Sequence, residues 1–173
     1  GRVNEVLLEL VRHNVRVPDQ VEGDLFAMVA ACDVAAQRLG DFLEEYGLED
    51  LDGLGEVIHS HADRAMRQAI RRLPDGVYDY TGTLDGFDDP INVRCAVTVR
   101  GEEIEVDYSG TSGQLYDGGI NVPFTYTVAW TDFILKCLLE PFTPRNEGSY
   151  RSIKVSAPEG CILNCTRPAP VHA

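Results

Sequence analysis

The sequence predicts an α+β chain, with an N-terminal antiparallel helical hairpin followed by a mostly antiparallel β-sheet that carries one buried helix. Three observations point there. Apolar residues recur at helical spacing from Leu7 to Leu73, switch to strict alternation between Ile91 and Tyr108, and then fill one continuous run over 122–139. The helical segment is expected over 1–75 and the β-rich segment over 76–173, as one compact piece of a longer polypeptide, because both ends look cut.

Leu7, Leu8, Leu10 and Val11 share one broad face of a first helix that stops near Asn14. Val17-Pro18 then enforces an extended link, since the residue before proline is pushed out of the helical region. A second helix is predicted from Asp19 to Tyr46, where Leu25, Met28, Val29, Cys32, Ala36, Leu39, Leu43 and Tyr46 form an apolar stripe, with Gly47 as its left-handed terminator. A third helix runs from about Asp50 to Arg72. Its stripe is Leu51, Leu54, Ile58, Ala62, Ala65, Ala69 and Leu73, and the short link makes it the antiparallel neighbour of the second. Leu73-Pro-Asp-Gly76 stops it.

Tyr78, Tyr80, Thr81 and Thr83 favour strand, and Gly86 to Pro90 is a turn. Ile91, Val93, Cys95, Val97 and Val99 alternate, and Arg100-Gly-Glu102 turns the chain into Glu103–Tyr108, which makes a β-hairpin. The helix over 122–139 is apolar around most of its circumference and reads as largely buried. Ser152–Ser156 is a further strand, and Cys161–Asn164 another short one.

Fifteen Lys+Arg against 28 Asp+Glu give a net charge of −13. Such a field repels phosphate backbones and argues against nucleic-acid binding. The basic residues Arg67, Arg71 and Arg72 stand out as the one local cluster. No window is apolar enough to cross a membrane as a helix, and no signal peptide is visible. Five irregularly spaced cysteines do not form a disulfide framework, which fits a reducing, cytoplasmic setting.

The most informative stretch is a polar loop at a strand end. Asp107, Ser109, Thr111, Ser112 and, further on, Asn121 are the substrate-loop candidates; Asp107 either caps the turn at Gly110–Ser112 or reaches into a cavity shared with Asn121. No catalytic residue can be named. His59-Ser-His61-Ala-Asp63 looks like a metal cluster, but on a helix His59 and His61 point about 200° apart, and two ligands do not close a site. Cys161 and Cys165 have zinc-like spacing without a second pair, apart from a distant His172. Ser112 resembles half of a nucleophile elbow but lacks the following glycine, and no phosphate-binding glycine motif occurs. No metal ligand set is therefore assigned.

The ordered motifs Asp107-Tyr-Ser-Gly-Thr-Ser-Gly-Gln114, Gly119-Ile-Asn-Val122, Pro144-Arg-Asn-Glu-Gly-Ser-Tyr-Arg151, Ala157-Pro-Glu-Gly160 and Pro168-Ala-Pro-Val171 resemble the hydantoinase B/oxoprolinase family. Upstream, Asn14-Val-Arg-Val-Pro18 and Leu73-Pro-Asp-Gly76 fit it as well. The resemblance implies part of the large subunit of an ATP-dependent enzyme that hydrolyses cyclic amides such as hydantoins or oxoproline. Close relatives carboxylate ketones, and a non-catalytic docking module for the ATP-using partner is a third possibility. It further implies a hetero-oligomer with a hydantoinase A-type subunit or domain that handles ATP. The divalent metal of the full complex is implied in a histidine- and aspartate-rich segment expected before residue 1, so no cofactor is expected on this stretch and it is expected to be inactive alone.

Overall fold

The computed structural model describes residues 2–171, so His172 lies outside the described residues. The chain divides into two compact units, Gly1–Gly53 and Leu54–Ala173.

In the first unit, α1 (Glu5–Asn14) is opened by Asn4, whose side chain accepts the Leu7 N–H at 3.4 Å. Helix α2 (Pro18–Tyr46) starts on a proline, whose missing N–H costs nothing in the first turn, and ends at Gly47 with φ +62°. Arg12 ties the two helices by gripping both carboxylate oxygens of Glu22 at 2.6 and 2.7 Å. No residue of α2 is buried; its stripe stays open, with Met28, Val29 and Leu39 all exposed. The expectation that Leu39 and Ile58 are buried is therefore corrected, since both keep over two fifths of their surface in solvent.

The second unit holds most of α3 (Asp52–Ile70) and a four-stranded sheet: β1 (Gly76–Leu84), β2 (Ile91–Arg100), β3 (Glu103–Asp107) and β4 (Ile153–Ser156), in that spatial order. The end of α3 packs into the core of the sheet. Its buried residues Ala62, Met66, Ala69 and Ile70 are one to two turns apart, and Met66 and Ile70 enter the core with Val99, Ile104, Val106 and Ile153. Each such side chain contributes about 1.5–3 kcal/mol by leaving water. Strands β1 to β3 pair antiparallel, as the alternation predicts, while β4 returns parallel to β3. Asp75 accepts the Gly101 N–H at 2.8 Å and so pins the β2–β3 turn to the start of β1.

Helix α4 (Phe124–Leu139) crosses the apolar face of the sheet and lies between β3 and β4 in sequence. It is not the buried helix expected. Only Thr127 and Lys136 are buried, whereas Trp130, Ile134 and Leu138 are exposed by half or more. A helix apolar on every side has more apolar surface than one sheet can cover. A 3₁₀ turn at Glu147–Tyr150 packs on α3 so closely that a Cβ on Gly148 would stand 1.9 Å from the His59 carbonyl oxygen. Residues 161–164 form two isolated bridges, Gly113 with Cys161 and Cys161 with Asn164, rather than a strand. Among the described residues no helix is long and apolar enough to cross a membrane.

Candidate functional site

Strand β2 is ten residues long and β3 only five. Beyond Asp107, the backbone of β2 would be left without partners on that side, and buried backbone groups must be paired. The polar loop supplies them. Ser112 N–H donates to the Asn92 carbonyl at 2.8 Å, and its Oγ accepts the Asn92 N–H at 2.9 Å. Thr111 Oγ1 accepts the Arg94 N–H and donates to the Arg94 carbonyl, both at 3.1 Å. These two hydroxyls replace the missing part of β3. Gly110, at φ +93°, makes the bend and lies against the Arg94 side chain.

Asp107 ends β3 on its outer face. One carboxylate oxygen accepts the Ser109 N–H at 3.1 Å, the Ser109 hydroxyl at 2.8 Å and the Ser156 hydroxyl at 3.1 Å. The Ser109 hydroxyl bond is the main reason the carboxyl lies below its ordinary value of 3.8. Asp107 thus caps Ser109 and fastens β4, one position earlier than the expected Gly110–Ser112 turn. Arg94 completes this face, holding Asp79 through its guanidinium and donating to the Ser109 carbonyl at 2.7 Å.

Asn121 is not part of that cluster. It is fully buried, accepts the Leu115 N–H at 2.8 Å, and donates to the carbonyls of Leu115 and Pro170 at 2.7 and 2.8 Å. Gln114 grips Thr166 in the same manner. Four of the five predicted loop residues are brought together along β2 and β3, and the fifth closes the far end of the same loop.

On the opposite face, a largely apolar cavity of about 500 Å³ lies between the sheet and α4, lined by Val93, Cys95, Tyr108, Trp130 and Ile134 among others. Its polar groups are satisfied: Tyr108 and Thr131 share a 2.8 Å hydrogen bond, Thr131 donates to the Thr127 carbonyl, and Thr127 donates to the Leu163 carbonyl. Burial pushes both the Cys95 thiol and the Tyr108 phenol upward. A second cavity, about 340 Å³, is lined by Val57, Ile58, His61, Arg64 and Asn146. There the Asn146 Oδ1 is buried without a hydrogen-bond partner, an arrangement that an incoming N–H satisfies.

The other sequence candidates stay apart. Asp63 pairs with Arg67 at 2.9 Å rather than with His59. Arg67 and Arg71 are both engaged by Glu102, so this basic cluster is neutralised. Cys161 and Cys165 are free thiols. Among the described residues no three His, Cys, Asp or Glu side chains gather closely enough to hold a metal ion, so these residues do not fit the divalent metal that the resemblance implies. The pattern missed in sequence is Lys136 and Glu140, an i,i+4 pair buried inside the apolar run and joined by Thr143. The spacing was visible, but nothing in it announced burial. Asp132 was also missed; burial raises its carboxyl to about 6.

A sheet extended by a hydroxyl-bearing loop, with that loop wired to the chain's last residues, defines an α+β scaffold segment with fixed polar walls. The chain belongs to the hydantoinase B/oxoprolinase family, whose model matches residues 1–173. It is 36% identical, over its whole length, to the B-type subunit of a putative D-/L-hydantoinase from Pseudomonas sp. (strain NS671), and covers 31% of that protein. It is 30% identical to the beta chain of the caprolactamase of Pseudomonas jessenii, with 98% of this chain and 30% of that one covered. The crystal structure of the ATP-dependent caprolactamase from that organism superposes with a TM-score of 0.83, at 30% identity, over 99% of this chain and 30% of that one. A nucleotide-free acetone carboxylase structure shares the fold, with a TM-score of 0.77 at 18% identity, over 95% of this chain and 24% of the other. The chain thus spans under a third of the length of these relatives.

Proposed function

We propose that this chain is part of the large subunit of an ATP-dependent cyclic-amide hydrolase, working with a separate ATP-using subunit or domain in a hetero-oligomer. The observation that carries this is the 36% identity across the whole chain to a hydantoinase of the B type, against 18% to the acetone carboxylase. The same difference favours hydrolysis of a ring amide over carboxylation of a ketone. Within that enzyme, Asp107, Ser109, Thr111, Ser112 and Asn121 act as scaffold. Their hydrogen-bonding groups go largely to the chain's own backbone and to one another. The divalent metal and ATP of the complex are held by other parts of it.

The test uses the assembled complex with ATP. ATP-dependent opening of a hydantoin, oxoproline or lactam ring supports the reading; ATP turnover only with a ketone and bicarbonate overturns it. Asp107→Asn separates scaffold from chemistry. An amide oxygen still accepts the Ser109 and Ser156 bonds, so a scaffold role leaves turnover near wild type. A drop of about 100-fold or more at unchanged stability assigns Asp107 to the reaction instead.

A further inference from the structure

The two edges of the sheet are built differently. Strand β4 is four residues long and carries Lys154, both devices that keep a sheet edge from pairing with another chain. Strand β1 has nine residues, no lysine, no proline and no bulge; its register with β2 runs unbroken from Gly76 to Leu84. Among the described residues no strand pairs with its outer edge. Its apolar side chains are also uncovered: Tyr78 is 49% exposed, Tyr80 72% and Leu84 55%. These three lie on the same face as Val93 and Val97, the face that α4 covers only in part. A long, flat, unguarded edge flanked by open aromatic side chains is a template for one more strand.

We propose that the strand is β1 of a second copy of this chain, paired antiparallel about a two-fold axis at Thr81. The register follows from the side chains. Residues opposite each other in an antiparallel pair share a face, so only registers that set even-numbered residues against even-numbered ones join apolar face to apolar face. A two-fold at Asp79 sets two carboxylates opposite each other, which is repulsive. A two-fold at Tyr80 brings Asp75 against Asp85. A two-fold at Thr81 sets Tyr80 against Gly82, Tyr78 against Leu84, Asp79 against Thr83, and Thr81 against itself. Tyrosine then covers a strand glycine, an aromatic–aliphatic pair forms on the apolar face, and no like charges meet. Asp79 keeps Arg94 on its own strand pair throughout. The product is a continuous eight-stranded sheet with both α4 helices on one face. This goes beyond the cyclic-amide reading and does not depend on it.

The test is oligomeric state and cross-linking in the 173-residue chain. Light scattering across a dilution series is expected to give twice the chain mass, falling to the monomer on dilution. Tyr80→Lys puts a charge on the edge and is expected to leave a monomer with unchanged circular dichroism, since the side chain it replaces is mostly exposed. With the exposed Cys32 and Cys137 changed to serine, Thr81→Cys places two Cβ atoms roughly 4.5–5.5 Å apart, close enough for mild oxidation to join them. Asp79→Cys, set opposite Thr83 and not itself, is expected to stay uncross-linked. A monomer at every concentration, a dimer that survives Tyr80→Lys, or cross-linking through Asp79→Cys in place of Thr81→Cys overturns the proposal.

Discussion

The Lys136–Glu140 pair can be taken apart one charge at a time. The two residues are 5% and 8% exposed, one turn apart at the end of α4. Lys136 Nζ donates to Glu140 and, at 2.7 Å, to Thr143 Oγ1, while Glu140 also accepts the N–H groups of Phe142 and Thr143 at 3.2 and 3.1 Å. Burial opposes ionisation of Glu140, but the bonds from Lys136 and Thr143 outweigh it and hold the carboxyl below its ordinary 4.5. Glu140→Gln keeps the shape and the acceptor for the backbone but strands a buried ammonium, which costs about 3 kcal/mol, the low end for breaking a buried pair. Lys136→Met leaves a carboxylate that retains its backbone donors and costs about 2 kcal/mol. The double variant Lys136→Met/Glu140→Leu removes both charges, so its cost is expected to fall well below the sum of the singles. Urea titrations followed by Trp130, the chain's one tryptophan and itself on α4, read the relevant unit directly. Because the folded carboxyl is depressed, its contribution is full above pH 4.5 and lost as the pH falls through the lower folded value. A Glu140→Gln cost under about 1 kcal/mol, or single costs that simply add, would refute the reasoning.

Three further outcomes are expected. Asp132 is raised from 3.8 to about 6 by burial alone, so stability is full below 3.8 and is lost as the pH climbs to about 6. Such a displacement is worth at most about 3 kcal/mol, and partial exposure screens it to about 1. Asp132→Asn should therefore raise the urea midpoint at a pH of about 7.5 and leave it unchanged at the acid end; equal shifts at both would contradict the assignment. Gly148→Ala, driven into the His59 carbonyl, should cost about 3 kcal/mol in the same titration, since backbone has to give way. Leu39→Ala and Ile58→Ala, on exposed positions, should each cost under about 1 kcal/mol, and losses of about 2–4 kcal/mol would show that a partner buries them.

Periodicity carried the fold because each element buries one face. The alternation from Ile91 to Tyr108 predicts β2 and β3 nearly to the residue, and Pro18 and Gly47 bracket α2. It does not carry coverage. Leu39 on α2 and Trp130 on α4 sit on stripes with correct spacing and remain open, because a stripe says which side is apolar and not what lies against it. The loop was legible as a turn at a strand end. That Thr111 and Ser112 stand in for a shortened β3 was not, since it depends on the unequal lengths of two strands brought together by the fold. Glu140 was hidden for a related reason: the i,i+4 spacing from Lys136 looks the same in solvent as in a core.

The parallel return of β4 along β3 has a kinetic side. Strands β1 to β3 form from near neighbours in the chain, whereas the Ser156 hydroxyl reaches Asp107 across 49 residues, with all of α4 and the 3₁₀ turn between. Non-local contacts of this kind are closed late, after the loop entropy of the intervening chain has been lost. The meander is therefore expected to form first and to wait, with the Asp107 carboxylate and the edge of β3 unfilled, for α4 to swing β4 into register. Until then β3 is a second open edge, and during synthesis it stays open until the ribosome has released residue 156 and the tail that bonds Gln114 and Asn121.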